Sequence, residues 1–221
     1  ADALSREAIP LLHDGSARAN QNFVWGLASL GRLMELRGDL EEAEELLAQT
    51  VEIRRRTFGD FHPLVSGAMG EYAFFLNRIG RVEEAEALFR RAVEIDLETV
   101  GRNHTRHAGT LGGLAMVLME AGRLSEADSM MEESLRIRTN AQGRRIPIVA
   151  QGLAARAEIK TRMGRFQEAE TLLEEALSIV SDQPRSAVVP GRIHAAFVRL
   201  YEAWSRPEMA ERHRPLALQG A

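Results

Sequence analysis

Gly38-Asp39-Leu40-Glu41-Glu42-Ala43-Glu44 is one of four near-copies of a single seven-residue block. The others are Gly80-Arg81-Val82-Glu83-Glu84-Ala85-Glu86, Gly122-Arg123-Leu124-Ser125-Glu126-Ala127-Asp128 and Gly164-Arg165-Phe166-Gln167-Glu168-Ala169-Glu170. Their leading glycines are 42 residues apart at every step: 80−38, 122−80 and 164−122. A worn fifth copy, Ser205-Arg206-Pro207-Glu208-Met209-Ala210-Glu211, arrives one residue early. A motif that holds its register this way marks a repeat architecture, and it decides the fold before any local reading does.

Each block reads as a turn followed by a helix start. Glycine ends the preceding helix, because the left-handed residue past a helix C-terminus is cheapest for glycine. The glutamates of the next turn complement the positive end of the new helix dipole. Asp39 with Glu42 has capping-box spacing. Apolar residues then recur at helical intervals, as in Leu46, Leu47, Val51 and Ile53, or Leu88, Phe89, Ala92, Val93 and Ile95. The stretch before each block is helical too. No segment sustains a period of two, so no strand is expected.

Leu27-x2-Leu30-Gly31-x2-Met34 followed by Ala43-x3-Leu47, and the same pattern at Met69–Phe89 and Leu111–Met131, resembles the tetratricopeptide repeat. Small residues stand where its two helices cross: Gly31, Ala73, Ala115 and Ala157 on one, Ala43, Ala85, Ala127 and Ala169 on the other. The period of 42, against the usual 34 of that family, and the junctions Gly59-Asp60-Phe61-His62-Pro63 and Gly101-Arg102-Asn103-His104 resemble the kinesin light chain type. The resemblance implies an all-α, right-handed solenoid of antiparallel helix pairs. It forms a single domain over residues 1–221, with units at about 22–58, 63–100, 105–141, 146–181 and a worn 187–218. Residues 1–15 are expected to be a truncated preceding unit, with 3–13 as its second helix.

Some positions depart from the pattern. Arg156 and Lys160 stand where apolar residues are expected, and Gln142–Pro147 lacks the glycine-to-histidine-proline junction. Pro215 predicts a less regular C-terminal end. The segment Leu200–Ala210 resembles the close of tetratricopeptide regions that follow bacterial serine/threonine kinase domains. That implies a regulatory or ligand-sensing part of a larger signalling protein, although no kinase motif is present.

Composition narrows the chemistry. The chain has 221 residues, 45% apolar and 27% charged, with net charge −4, which argues against a strongly basic nucleic-acid binder. It has no cysteine, so disulfides, cysteine-ligated metals and thiol nucleophiles are excluded. No apolar run approaches the roughly 18 residues of a membrane span. Ala1–Pro10 lacks signal-peptide features and is expected to begin inside a helix, as a piece cut from a longer chain would. Lys160 is the sole lysine, a bias towards arginine that points to a bacterial source, and a cytoplasmic location is expected.

No enzymatic machinery emerges. His104 and His107 are one turn apart, but no third metal ligand is evident. Gly109–Gly113 is glycine-rich without the lysine of a phosphate loop. The clusters Arg54–Arg56, Arg90–Arg91 and Arg144–Arg145 do not recur at the repeat phase, and arginines near helix C-termini already favour the dipole. No cofactor, nucleic acid or membrane partner is expected, and the chain is expected not to be an enzyme.

The remaining candidate is a concave face lined by the first helix of each unit. The family resemblance assigns it Trp25, Ala28, Arg32 and Glu35, then Gly67, Gly70, Phe74 and Asn77, then Gly109, Gly112, Met116 and Met119. Gln151, Ala154, Glu158 and Thr161 follow, and finally Arg192, Ala195, Arg199 and Glu202. Ala28, Gly70, Gly112, Ala154 and Ala195 would make a trough for a peptide backbone. Phe74, Met116 and Met119 would form its apolar centre, with Phe74 and Met116 about 10 Å apart, one helix-packing distance. Arg32 and Arg199 would attract acidic residues of a peptide, and Glu35 and Glu158 would repel them. The expected partner is therefore a protein or peptide. Leu4, Ile9 and Leu11 suggest self-association through an uncapped N-terminal end.

Overall fold

The leading glycines adopt the left-handed backbone that the repeat demands, with φ of +89° at Gly38, +84° at Gly80, +74° at Gly122 and +73° at Gly164. The turn around each is closed by backbone alone. The Gly38 N–H donates to the Glu35 carbonyl at 3.0 Å and the Asp39 N–H to the Met34 carbonyl at 2.9 Å. This pair of bonds satisfies two carbonyls that a helix end leaves open. The same pair recurs at Gly80/Arg81, Gly122/Arg123 and Gly164/Arg165. It recurs a fifth time at Ser205/Arg206, with Ser205 held at φ +57°.

The computed structural model describes residues 17–181 and 188–218. Among them are ten helices and no strand: α1 (Ala17–Arg37), α2 (Leu40–Phe58), α3 (Pro63–Arg78), α4 (Val82–Thr99), α5 (Thr105–Glu120), α6 (Leu124–Gln142), α7 (Pro147–Arg162), α8 (Phe166–Ser181), α9 (Val188–Ala203) and α10 (Pro207–Leu218). Among the described residues, those up to Val100 form one compact unit and those from Gly101 on a second. The first contains the pairs α1/α2 and α3/α4, the second α5/α6, α7/α8 and α9/α10, each helix packing on its pair-mate. The expected helix at residues 3–13 lies outside the described residues.

The crossing points are as small as the sequence requires. Ala43, Ala73, Ala85, Ala115, Ala127, Ala157 and Ala169 are completely buried. A Cβ on Gly31 would lie 3.1 Å from Leu47 Cγ. Large side chains such as Phe75, Phe89, Ile95, Leu118, Ile137 and Leu173 fill the space around them.

A second glycine set, Gly59, Gly101 and Gly143, carries φ of +83°, +86° and +88° and ends the second helices. His62 and His104 then cap the next first helices: each Nδ1 accepts the N–H two residues on, from Leu64 at 3.1 Å and Arg106 at 3.0 Å. The junction before α7 keeps the glycine and, like α3 at Pro63, a proline at the first turn, Pro147, but Ile146 in the place of the histidine supplies no side-chain cap. It is thus closer to the repeat than its sequence suggests.

The expected capping box at Asp39 is not formed, since its side chain makes no cap bond. At the equivalent position Arg81 instead pairs with Glu84 three residues on, at 2.6 Å, and Arg123 and Arg165 pair likewise with Glu126 and Glu168.

In the first, third and fourth blocks the seventh residue joins one helix pair to the next. Glu44 on α2 accepts the Tyr72 hydroxyl of α3 at 2.9 Å, and Glu170 on α8 accepts the Tyr201 hydroxyl of α9 at 2.6 Å. Burial and these carboxylates push both phenols upward, Tyr72 to about 12. In the third block the residue is Asp128 on α6, and the donors are Arg156 and Lys160 of α7. The two departures from the apolar pattern are therefore a charged version of the same latch.

Pro215 does not interrupt α10, which continues to Leu218 with Pro215 exposed. In the last turn of an exposed helix, the carbonyl that loses its donor can turn to water.

Leu33 on α1 is 50% exposed, whereas its counterparts one to three repeats on, Phe75, Val117 and Ile159, are buried.

Candidate functional site

The first-helix positions assigned to the concave face do not behave alike. In the first unit Trp25 is 55% exposed, with the Arg54 guanidinium 5.4 Å from its ring centroid. Arg32 is exposed, whereas Ala28 is buried, which corrects the expectation that it opens onto a trough. Gly67 and Gly70 are half-buried, and a Cβ at Gly70 would lie 3.5 Å from the Phe89 ring. Gly70 therefore makes room for its own second helix.

Phe74 is half-buried and meets Phe89 edge-on, with centroids 4.9 Å apart. It both anchors α3 to α4 and shows a face to solvent. Glu35 does not stand as a free repelling charge, because Arg78 grips both its oxygens, one of them at 2.7 Å. Asn77 is half-buried, and its Oδ1 is shielded without a hydrogen bond. Arg32, Glu35, Leu36, Glu71, Phe74 and Arg78 together line a depression of about 540 Å³ between α1 and α3. Leu36, which the sequence reading did not single out, is 85% exposed beside it. Its signal was an apolar residue at a phase where other units carry Arg78, Glu120 and Arg162.

In the second unit Met116 is 41% exposed, but Met119 is only 8% exposed. Met119 belongs to the core, a correction to its place in the apolar centre. Phe74 and Met116 lie in different compact units. Gly112 sits against Ser134, with its absent Cβ 3.3 Å from the hydroxyl, and Gly109 lies against Arg138. Gln151 is exposed, and Ala154, Thr161 and Ala195 are half-buried. Arg199 is taken up by Glu158 at 2.8 Å, which Arg162 also approaches at 3.8 Å. Glu202 pairs with Arg214 at 2.6 Å, and Arg192 is exposed. The expected attraction by Arg199 and repulsion by Glu158 thus cancel within the fold.

The other candidates resolve into structure. His104 is a helix cap and His107 is buried. No group of three His, Asp or Glu side chains suited to a metal occurs among the described residues. Arg54 bonds the Leu64 carbonyl, Arg55 pairs with Asp60, Arg56 with Glu52, Arg90 with Glu86, Arg91 with Glu94 and Arg144 with Glu175. No described helix is long and apolar enough to cross a membrane. The C-terminal segment is a stacking corner: Tyr201 lies over Trp204 and Phe197, Phe166 stacks on Trp204, and Arg206 lies 3.6 Å from the Trp204 centroid.

The family model of the MalT-like TPR region matches residues 1–217, a span that takes in the helix pairs from α1 into α10 and their glycine turns. The chain belongs to that family. Solved structures agree. A point variant of the Podosopora anserina protein described as a kinesin light chain with nearly identical TPR-like repeats is 26% identical, with a TM-score of 0.73 over 87% of this chain and 93% of that one. A second structure of those repeats is 25% identical, with a TM-score of 0.69 over 89% and 92%. BtubC (BKLC) from P. vanneervenii shares the fold at 21% identity, with a TM-score of 0.80 over 98% of this chain and 88% of that one. No curated protein is significantly similar.

Proposed function

We propose that this MalT-like TPR region is a non-catalytic scaffold that takes up a peptide segment of a partner protein, with its five helix pairs acting as one repeat domain. Tetratricopeptide folds are protein-interaction scaffolds, because stacked pairs leave one face of each first helix uncommitted to the core. The observation that carries the reading here is the depression between α1 and α3. Its apolar residues, Phe74 and Leu36, stand among charged ones. An apolar centre with a polar rim is the build of a peptide site.

Self-association through the N-terminal end is a related proposal. It is supported by Leu33, half-exposed at a position that later repeats bury.

Selection of a random peptide library on the chain, followed by fluorescence polarisation, tests the peptide reading. Selected peptides should bind at least tenfold more weakly to Leu36→Arg and to Phe74→Ala, with helical circular dichroism retained. Peptides that bind both variants like the wild type would put the site on another face and refute the assignment.

A further inference from the structure

The charges around the α1–α3 depression are not all matched. Glu35 and Arg78 neutralise each other across it. Arg32, on α1, makes no ion pair among the described residues, and neither does Glu71 on α3. Glu71 Oε2 is shielded from solvent and accepts no hydrogen bond. Two turns along α3, Asn77 Oδ1 is in the same condition. A carboxylate oxygen withdrawn from water without a donor is costly, and an incoming N–H donor offsets that cost. Phe74 lies between these two acceptors in sequence and lines the depression with Glu71 and Leu36.

We propose that the depression selects a segment in which an apolar side chain is neighboured by a basic one. The apolar side chain rests on Phe74 and Leu36, and the lysine or arginine donates to Glu71. Arg32, on the opposite wall, favours an acidic residue on the segment's other side. A uniformly acidic segment fits poorly, because it would meet Glu71 while Arg78 is already occupied by Glu35. This inference rests on the peptide-scaffold reading and adds the chemistry of the partner to it.

The test uses three fluorescein-labelled nonapeptides, each with one central leucine. The first carries arginine on one side of the leucine and glutamate on the other, made in both orders. The second replaces the arginine with glutamine, and the third replaces it with glutamate. The wild-type chain should bind the arginine probe about tenfold or more tightly than the glutamine probe, the range for a charge-assisted hydrogen bond. Glu71→Gln, which keeps the shape, should erase that preference and leave the glutamine probe unchanged. Leu36→Ala should weaken all the probes. Equal affinity for arginine and glutamine probes, with Leu36→Ala still weakening both, would overturn the basic specificity but leave the groove reading standing. Tightest binding by the glutamate probe would likewise overturn it. Failure of every probe to bind, or binding indifferent to Leu36→Ala, would overturn both.

Discussion

Asp128 accepts Lys160 at 2.6 Å through one carboxylate oxygen and Arg156 at 2.7 Å through the other, joining α6 to α7. Lys160 is 3% exposed, at a position where the two preceding repeats carry the buried Leu76 and Leu118. Burial by itself would raise the Asp128 carboxyl, but the two cations more than offset it and hold it below the usual carboxylate range. Removing one partner of such a pair leaves a charge in a poorly solvated place, whereas removing both can be close to neutral.

Asp128→Leu should therefore destabilise the chain, by less than the roughly 3 kcal/mol of a fully broken buried pair, because Glu168 stays 3.3 Å from Lys160 and Glu132 2.8 Å from Arg156. Asp128→Leu with Lys160→Leu should recover most of that loss. Urea unfolding followed by circular dichroism measures both. A double variant less stable than Asp128→Leu alone would show that Lys160 does not depend on Asp128.

His194 and His213 face each other through their Nδ1 atoms at 2.9 Å, holding α9 to α10. One ring must donate and the other accept, so the pair tolerates at most one proton between those atoms. Burial pushes both imidazoles below the ordinary value of about 6.5, and His194 pushes His213 further. The unfolded chain thus binds protons at a higher pH than the native one. The stabilisation is fully present above the unfolded value and is lost as pH falls through it towards the native ones. Thermal unfolding of a Trp25→Phe variant, read by Trp204 in the same corner, should shift to lower temperature between about pH 7 and pH 5. His194→Gln with His213→Leu should flatten that part of the profile. An unchanged pH slope would refute the account.

Leu33→Glu should lower any concentration-dependent self-association measured by light scattering, with helical content unchanged. Full burial of a leucine side chain is worth roughly 1.5–3 kcal/mol, enough to favour association through α1. Association that persists undiminished in the variant would place the contact elsewhere.

Ser205 occupies a left-handed turn position filled by glycine in the other four blocks. Ser205→Gly should stabilise the last helix pair by about 0.5–1 kcal/mol. That is the relief of left-handed strain, less the extra chain entropy of glycine. Native-state hydrogen exchange at α10 amides would reveal it as slower opening, and faster exchange would contradict it.

How far the sequence discloses this molecule depends on the kind of interaction. Turns are legible because a left-handed backbone selects glycine, so the register of Gly38, Gly80, Gly122 and Gly164 marks where α1, α3, α5 and α7 end. Helix crossings were legible because close approach selects alanine or glycine. The latch at Glu44, Asp128 and Glu170 was not, since an acidic residue in a first helical turn is already explained by the dipole. Its donors lie about 30 residues away, on the next pair. Ala28 and Met119 were misjudged because one helix face shades gradually from groove into core, and repeat phase alone does not draw that edge. Leu36 was missed because its exposure depends on which neighbours cover it.

The backbone-closed turns at a fixed 42-residue interval have an evolutionary consequence. No particular side chain is needed to seal them beyond the glycine itself. A recombination event that removes or duplicates one whole period, for instance between the codons of Gly80 and Gly122, recreates a glycine turn identical to those on either side. Length in such a chain changes by copy number, one helix pair at a time, and a deletion of Arg81–Gly122 should still express as a helical protein with one pair fewer.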